Sequence, residues 1–166
     1  MEIIQNEDDS SELSIELPPY KSLEFFYRSL QNKKRSWAPI GNCWDNEPGK
    51  MFPRSHNQEL ALASTICANC PVIKDCLFLA LVKKEEYGVW GGYTSRQIQQ
   101  AVKDVESSIG NVWIHWNEKS ESIIRDQVDS MYEQYLQIHD INHETILNIK
   151  RQRSTEMYDR LNELRL

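Results

Sequence analysis

Apolar residues recur along most of this chain at helical spacing rather than in alternation. Leu23, Phe26, Tyr27 and Leu30 predict a short helix over residues 20–31. No period holds over residues 36–57, where Pro39, Gly41, Pro48, Gly49 and Pro53 interrupt any regular element. A helix is predicted from Gln58 to about Cys67. A second follows from Pro71, which suits a first helical position, to about Tyr87, with Gly88 ending it. Val89 to Tyr93 reads as a tight glycine-rich turn, and residues 94–106 as another helix. Beyond Gly110-Asn111, residues 116–138 place Ile124, Val128, Met131, Tyr135 and Ile138 on one helical face. Asp140 to Asn142 breaks that pattern, and two short helices are predicted within 143–165. No stretch alternates long enough for a sheet, and nothing repeats. The expected fold is all-α, with an arm over residues 1–19, a domain over 20–108 and a helical extension over 112–166.

Charge refines this organisation. Residues 1–19 carry six acids and no base and end in Pro18-Pro19, the composition of a flexible acidic arm. Lys21, Arg28, Lys33, Lys34 and Arg35 then oppose Glu24 alone. The net charge of -6 argues against broad non-specific binding to nucleic acid, which needs a concentrated basic surface. No apolar run approaches the roughly 20 residues of a membrane span. The first residues have neither the basic start nor the apolar core of a signal peptide. A cytoplasmic protein is expected.

In a reducing compartment, four cysteines read as metal ligands or redox groups rather than as disulfides. Cys43, Cys67, Cys70 and Cys76 are separated by 23, two and five residues. Thiolates in this number suit either zinc or an iron–sulfur cluster. The three close cysteines do not form two C-x-x-C knuckles, and Cys70 precedes a predicted helix whose N-terminal N–H groups favour an anionic centre. Both features incline towards a cluster and leave zinc open. A thiol oxidoreductase built on Cys67-x-x-Cys70 lacks the expected βαβ context. No phosphate loop, paired acid–base site or nucleophile motif points to an enzyme. His115, His139 and His143 lie outside the cysteine region and are not read as ligands. A core this small is expected to need its metal to fold.

Trp37-x5-Cys43, Glu47-Pro48-x-x-Met51-Phe52-Pro53, Cys67-Ala-Asn-Cys70-Pro71-Val72, Cys76-Leu77 and Gly88-Val89-Trp90-Gly91-Gly92 together resemble the WhiB-like family of transcriptional regulators. The likeness covers about residues 37–96. It implies that Cys43, Cys67, Cys70 and Cys76 bind a 4Fe-4S cluster responsive to oxygen or nitric oxide. It also implies that the turn Gly88, Val89, Trp90, Gly91 and Gly92, with the neighbouring aromatics Trp37 and Phe52, binds the C-terminal region of a principal sigma factor. The small helical domain is then organised around its cluster. Met51 stands where the family pattern usually has phenylalanine, and a long helical segment replaces the short Arg/Gly-rich tail.

Two further expectations concern partners. Trp90, between Gly88 and Gly91 in a tight turn, leaves two readings, an indole packed into the core or an exposed interface anchor, and the resemblance favours the anchor. Trp37, Trp44 and Phe52 flank Cys43 and are expected to shield the centre from water. Within the extension, helices over 120–138, 143–150 and 154–165 would compose a helix-turn-helix-like unit or an interaction segment. In the first case Ser154 would start the last helix, and Lys150, Arg151 and Arg153 would reach the phosphates of promoter DNA. The function expected is a redox- or nitric-oxide-responsive transcriptional regulator that binds sigma factor, the alternative being a zinc-stapled interaction module without redox chemistry.

Overall fold

The computed structural model describes residues 37–164 apart from 45 and 48. The acidic arm and the helix predicted over 20–31 lie outside the described residues. Five helices follow a 3-10 turn at Ala38–Ile40: α1 (His56–Thr65), α2 (Ile73–Lys83), α3 (Ser95–Ser108), α4 (Glu118–Ile138) and α5 (His143–Leu164). No strand forms among them, so the all-α expectation holds. No helix among the described residues is long and apolar enough to cross a membrane.

Local chemistry starts these helices. Ser55 and Gln58 form a capping box at α1, Thr94 and Gln97 one at α3, and Asn117 and Ser120 one at α4. The α1 box places the start two residues before the Gln58 expected from periodicity. At α5, Asn142 Oδ1 accepts from the Glu144 and Thr145 N–H groups at 2.7 and 3.4 Å. Asp140, at φ 52°, turns the chain between α4 and α5.

α2 is the central element. Leu77, Phe78, Leu79, Ala80 and Leu81 are all buried, as in a helix covered on every side. α3 lays Ile98, Ala101, Val102 and Val105 into the same core, and α4 adds Ile124, Val128, Met131 and Tyr135. Ile138 departs from the expected face and is 71% exposed. α5 contributes Ile146 and packs Met157 against the same core. Residues 112–164 therefore share one core with the cysteine region.

α2 and α5 also differ from expectation. α2 begins at Ile73, not Pro71, because residues 67–72 turn back on themselves through Asn69 at φ 59° and a Cys70 N–H to Cys67 carbonyl bond of 3.0 Å. It ends at Lys83, four residues before Tyr87. Lys84 takes the left-handed conformation, its N–H capping Ala80 and Leu81 carbonyls, and Trp113 Nε1 donates to the Leu81 carbonyl at 2.9 Å. Finally, α5 is one continuous helix where two were expected. Its sequence holds no glycine or proline, and Ser154 lies inside it rather than starting a new helix.

Candidate metal centre

Three segments deliver the four cysteines. Cys43 stands in the irregular turn after the 3-10 element and is exposed. Cys67 and Cys70 are buried in the turn between α1 and α2. Cys76 sits in the first turn of α2, its N–H bonded to the Val72 carbonyl at 2.9 Å.

Backbone N–H groups are aimed at the sulfurs. Gly91 N–H points to Cys76 Sγ at 3.1 Å, and Asn42 N–H to Cys70 Sγ at 3.4 Å. Val72 N–H also faces Cys70, and Gly92 N–H faces Cys67. The helix-terminus donors expected at Cys70 are thus displaced to Val72, at the observed start of α2. Gly91 must be glycine for this approach: φ is +55°, and an added Cβ would stand 2.5 Å from Leu77 Cγ and 2.8 Å from the Ile73 carbonyl oxygen.

The thiols are electrostatically coupled, which places them together. Burial pushes Cys67 up to about 12, with the nearby Cys70 and Cys43 adding to the rise. Cys76 is raised well above its usual range by burial and then by Cys43, Cys67 and Cys70. Burial also raises Cys70, against the pull of the Asn42 and Val72 N–H groups and of Arg153. Cys43, though exposed as a residue, has its thiol raised by desolvation and then by Cys70. Four gathered thiols that resist ionisation by themselves, ringed by N–H donors, fit a cationic centre that would hold all four as thiolates. Among the described residues, no three His, Cys, Asp or Glu side chains close around a single-ion position. The thiols are gathered without converging on one point.

The glycine-rich turn lies beside these sulfurs and faces inward. Trp90 is 4% exposed, so its indole packs into the core, the other of the two readings, and it is not the exposed anchor that the resemblance favoured. Its N–H and carbonyl pair with Tyr93 at 2.9 and 3.0 Å, and its Nε1 donates to the Tyr87 carbonyl at 2.8 Å. Phe52 packs edge-on against the indole with centroids 6.1 Å apart. Gly88 and Gly92 have φ of 88° and 83°, and the Tyr135 ring lies against Gly92 where a Cβ would be. Val89 is buried with Ala63 and Cys67. Trp37 packs against the main core, and Trp44 is half-buried.

Outside this inward face, Phe52 is 44% and Tyr87 73% exposed, flanking a cleft of about 470 Å³ that Arg54, His56 and Arg96 also line. Lys150, Arg151 and Arg153 do not share one outward face. Lys150 pairs with Asp75 at 3.7 Å, and Arg153 Nη1 donates to the Ile40 carbonyl at 2.9 Å and to Asn42 Oδ1. Arg151 is exposed and donates to Asn148 at 2.6 Å. His143 Nδ1 lies 2.8 Å from Tyr132 Oη, and the His139 ring packs on Tyr135, so neither is directed at the cysteines.

Sequence reasoning missed two residues at this site. Asn42 Nδ2 donates to the Ile66 and Ala68 carbonyls at 2.9 and 2.8 Å and so joins the Cys43 turn to the Cys67 turn. Its only sequence signal was an amide next to a cysteine in a loop. Glu59, buried in α1, accepts from Ser95 N and Oγ at 2.8 and 3.0 Å, a carboxylate at the start of α3 with no motif to mark it.

The described fold and site define a helical domain built around four gathered cysteines. The family model for the transcription factor WhiB matches residues 37–100. WhiB4 of Mycobacterium tuberculosis, a transcriptional regulator, is 38% identical over 77 residues, covering 46% of this chain and 64% of that protein. WhiB1 of the same species is 35% identical over 60 residues, 34% of this chain and 71% of the relative. WhiB of Streptomyces coelicolor is 28% identical over 72 residues and covered to 82%. The chain belongs to the WhiB family. It spans somewhat less than two thirds of the WhiB4 proteins it matches. No solved structure matches it.

Proposed function

We propose that this chain is a transcriptional regulator whose Cys43, Cys67, Cys70 and Cys76 hold one 4Fe-4S cluster, and that it acts by binding the C-terminal region of the principal sigma factor. The observation that carries the reading is the gathering of four thiols from three segments, with Asn42, Val72, Gly91 and Gly92 N–H groups directed at them, in a member of the WhiB family. When bound, the cluster supplies a centre reactive towards oxygen or nitric oxide. The chain's residues hold the sulfurs in place, neutralise part of their charge through N–H donors and exclude water by burial.

The partner surface lies on the outward side of the glycine-rich turn. With Trp90 in the core, contact falls to Phe52 and Tyr87 beside the cleft, while Gly88 to Gly92 set the shape of the loop. Because the same turn donates N–H groups to Cys76 and Cys67, a change at the centre reaches this surface through one short element. The test is anaerobic purification of the full chain, with and without co-expressed sigma factor, followed by iron, zinc and acid-labile sulfide assays. Four irons and four sulfides per chain and co-purified sigma factor are expected. A colourless protein with stoichiometric zinc would overturn the cluster.

A further inference from the structure

α5 lies beyond the residues matched to the family, yet one of its faces is directed at the cysteine loops. Ile146, Lys150, Arg153 and Met157 follow one another at helical spacing on that face. Ile146 and Met157 join the core at its two ends. Between them, Lys150 reaches Asp75, the neighbour of Cys76, and Arg153 reaches the 3-10 turn and Asn42. Asn42 then commits its side chain and its N–H: Oδ1 to Arg153, Nδ2 to Ile66 and Ala68, and its N–H to Cys70 Sγ. One short chain of contacts therefore runs from α5 through Asn42 to a ligand sulfur.

We propose that α5 is a built-in clasp over the cysteine site and that Arg153 is its positioning residue, holding the Cys43 turn against the Cys67–Cys70 turn through Asn42 and so limiting access of small reagents to the sulfurs. Cys43 has most need of such a clasp, since it stands in an irregular, exposed turn with no helix to fix it. Without Arg153, Asn42 Oδ1 and the Ile40 carbonyl lose a charged donor, and the Asn42 side chain is freed to leave the carbonyls it joins. The guanidinium also places a positive charge near the Cys70 sulfur, which would favour the more reduced, more negative state of a bound centre. Lysine would keep the charge but loses the planar, multi-donor fork. The inference rests on reading the four cysteines as one metal centre, although the clasp is a property of the chain itself.

The test uses the full chain purified anaerobically, with Arg153→Gln, Arg153→Lys, Asn42→Ala and the double variant Arg153→Gln/Asn42→Ala. Iodoacetamide labelling of Cys70, mapped by mass spectrometry, and metal loss to a chelator are followed over time. Arg153→Gln is expected to accelerate both by about tenfold or more, as for loss of a charge-assisted hydrogen bond, with helical circular dichroism retained. The double variant should be no faster than the faster single one, because both remove the same link. The midpoint potential of the centre should fall in Arg153→Gln and recover in Arg153→Lys, which a purely packing role would not produce. If Arg153→Gln fails to fold, Arg153→Lys and Asn42→Ala carry the same comparison. Labelling and metal-loss rates equal to wild type, or fully additive effects in the double variant, would overturn the clasp. Iron and sulfide present with unchanged rates would sink the clasp and keep the cluster. Protection lost in Arg153→Gln from a protein without iron or sulfide would keep the clasp and sink the cluster.

Discussion

The Tyr135 hydroxyl of α4 donates to the Ala63 carbonyl of α1 at 2.8 Å, joining residues 72 apart in the chain. Ala63 lies one turn before Cys67, and the same tyrosine ring packs against Gly92. Tyr135 thus ties the extension both to the helix leading into the centre and to the glycine-rich turn. Tyr135→Phe keeps the ring and removes the bond, leaving a buried carbonyl unpaired, and should cost about 1–3 kcal/mol. Gly92→Ala should cost more, since a Cβ meets the ring and φ of +83° is strained for alanine. Chemical denaturation of both variants measures the order. A Gly92→Ala protein as stable as wild type would show that this packing is not close.

Trp90 and Phe52 should separate stability from binding. Trp90→Ala removes a buried indole and its bond to Tyr87, with an expected loss of about 3–5 kcal/mol. Any loss of sigma-factor binding in that variant should track loss of folded protein. Phe52→Ala, at a half-exposed position, should weaken a pull-down of the sigma factor's C-terminal region while iron content stays normal. Normal binding by Phe52→Ala protein would move the partner surface elsewhere.

The gap between Trp90's expected and observed position shows where local sequence stops being informative. Glycine on both sides signals a tight turn, and the turn is there with positive φ at Gly88, Gly91 and Gly92. The direction of the indole depends on Phe52 and on the core beneath, which belong to distant segments. The α4 face was legible for the opposite reason: Ile124, Val128, Met131 and Tyr135 repeat within one helix, and all are buried. The cysteine set was legible from number and spacing alone. Arg153 was not, because a basic residue in a basic run reads as a phosphate contact until Asn42, 111 residues away, is seen beside it.

The promoter contact expected of the Lys150–Arg153 stretch now falls to Arg151. Lys150 and Arg153 are committed within the chain, whereas Arg151 is exposed on α5. Arg151→Ala should then weaken promoter binding uniformly across sequences and reduce the salt slope by about one. Lys150→Ala should change neither measurably, and its partly exposed pair with Asp75 should matter little to stability. Equal salt slopes for wild type and Arg151→Ala would assign this surface to something other than DNA.

Removing the metal should loosen the protein unevenly. A core this small is expected to need its metal to fold, yet α2, α3, α4 and α5 share a core that is mostly aliphatic and aromatic, including Ile73, Leu77, Ile98, Ile124, Val128 and Ile146, with Cys70 inside it and Cys76 packed against it. The segments carrying Cys43 and Cys67 have less beneath them: α1 buries only Glu59 and Ala63, and Cys67 packs in a small cluster with Ala63 and Val89. Gathering four thiolates without a cation would also set like charges together, so the stripped site gains nothing by ionising. Chelation under reducing conditions should therefore raise hydrogen exchange across residues 37–72 and at the Gly88–Gly92 turn, with α2 and α4 still protected. Helical circular dichroism should fall only partly. Each Cys→Ser variant should show the same exchange pattern and a sharp loss of bound iron, with Cys76→Ser extending it into the first turn of α2. Complete loss of helical signal on chelation would show that the α2–α4 core cannot stand without its centre.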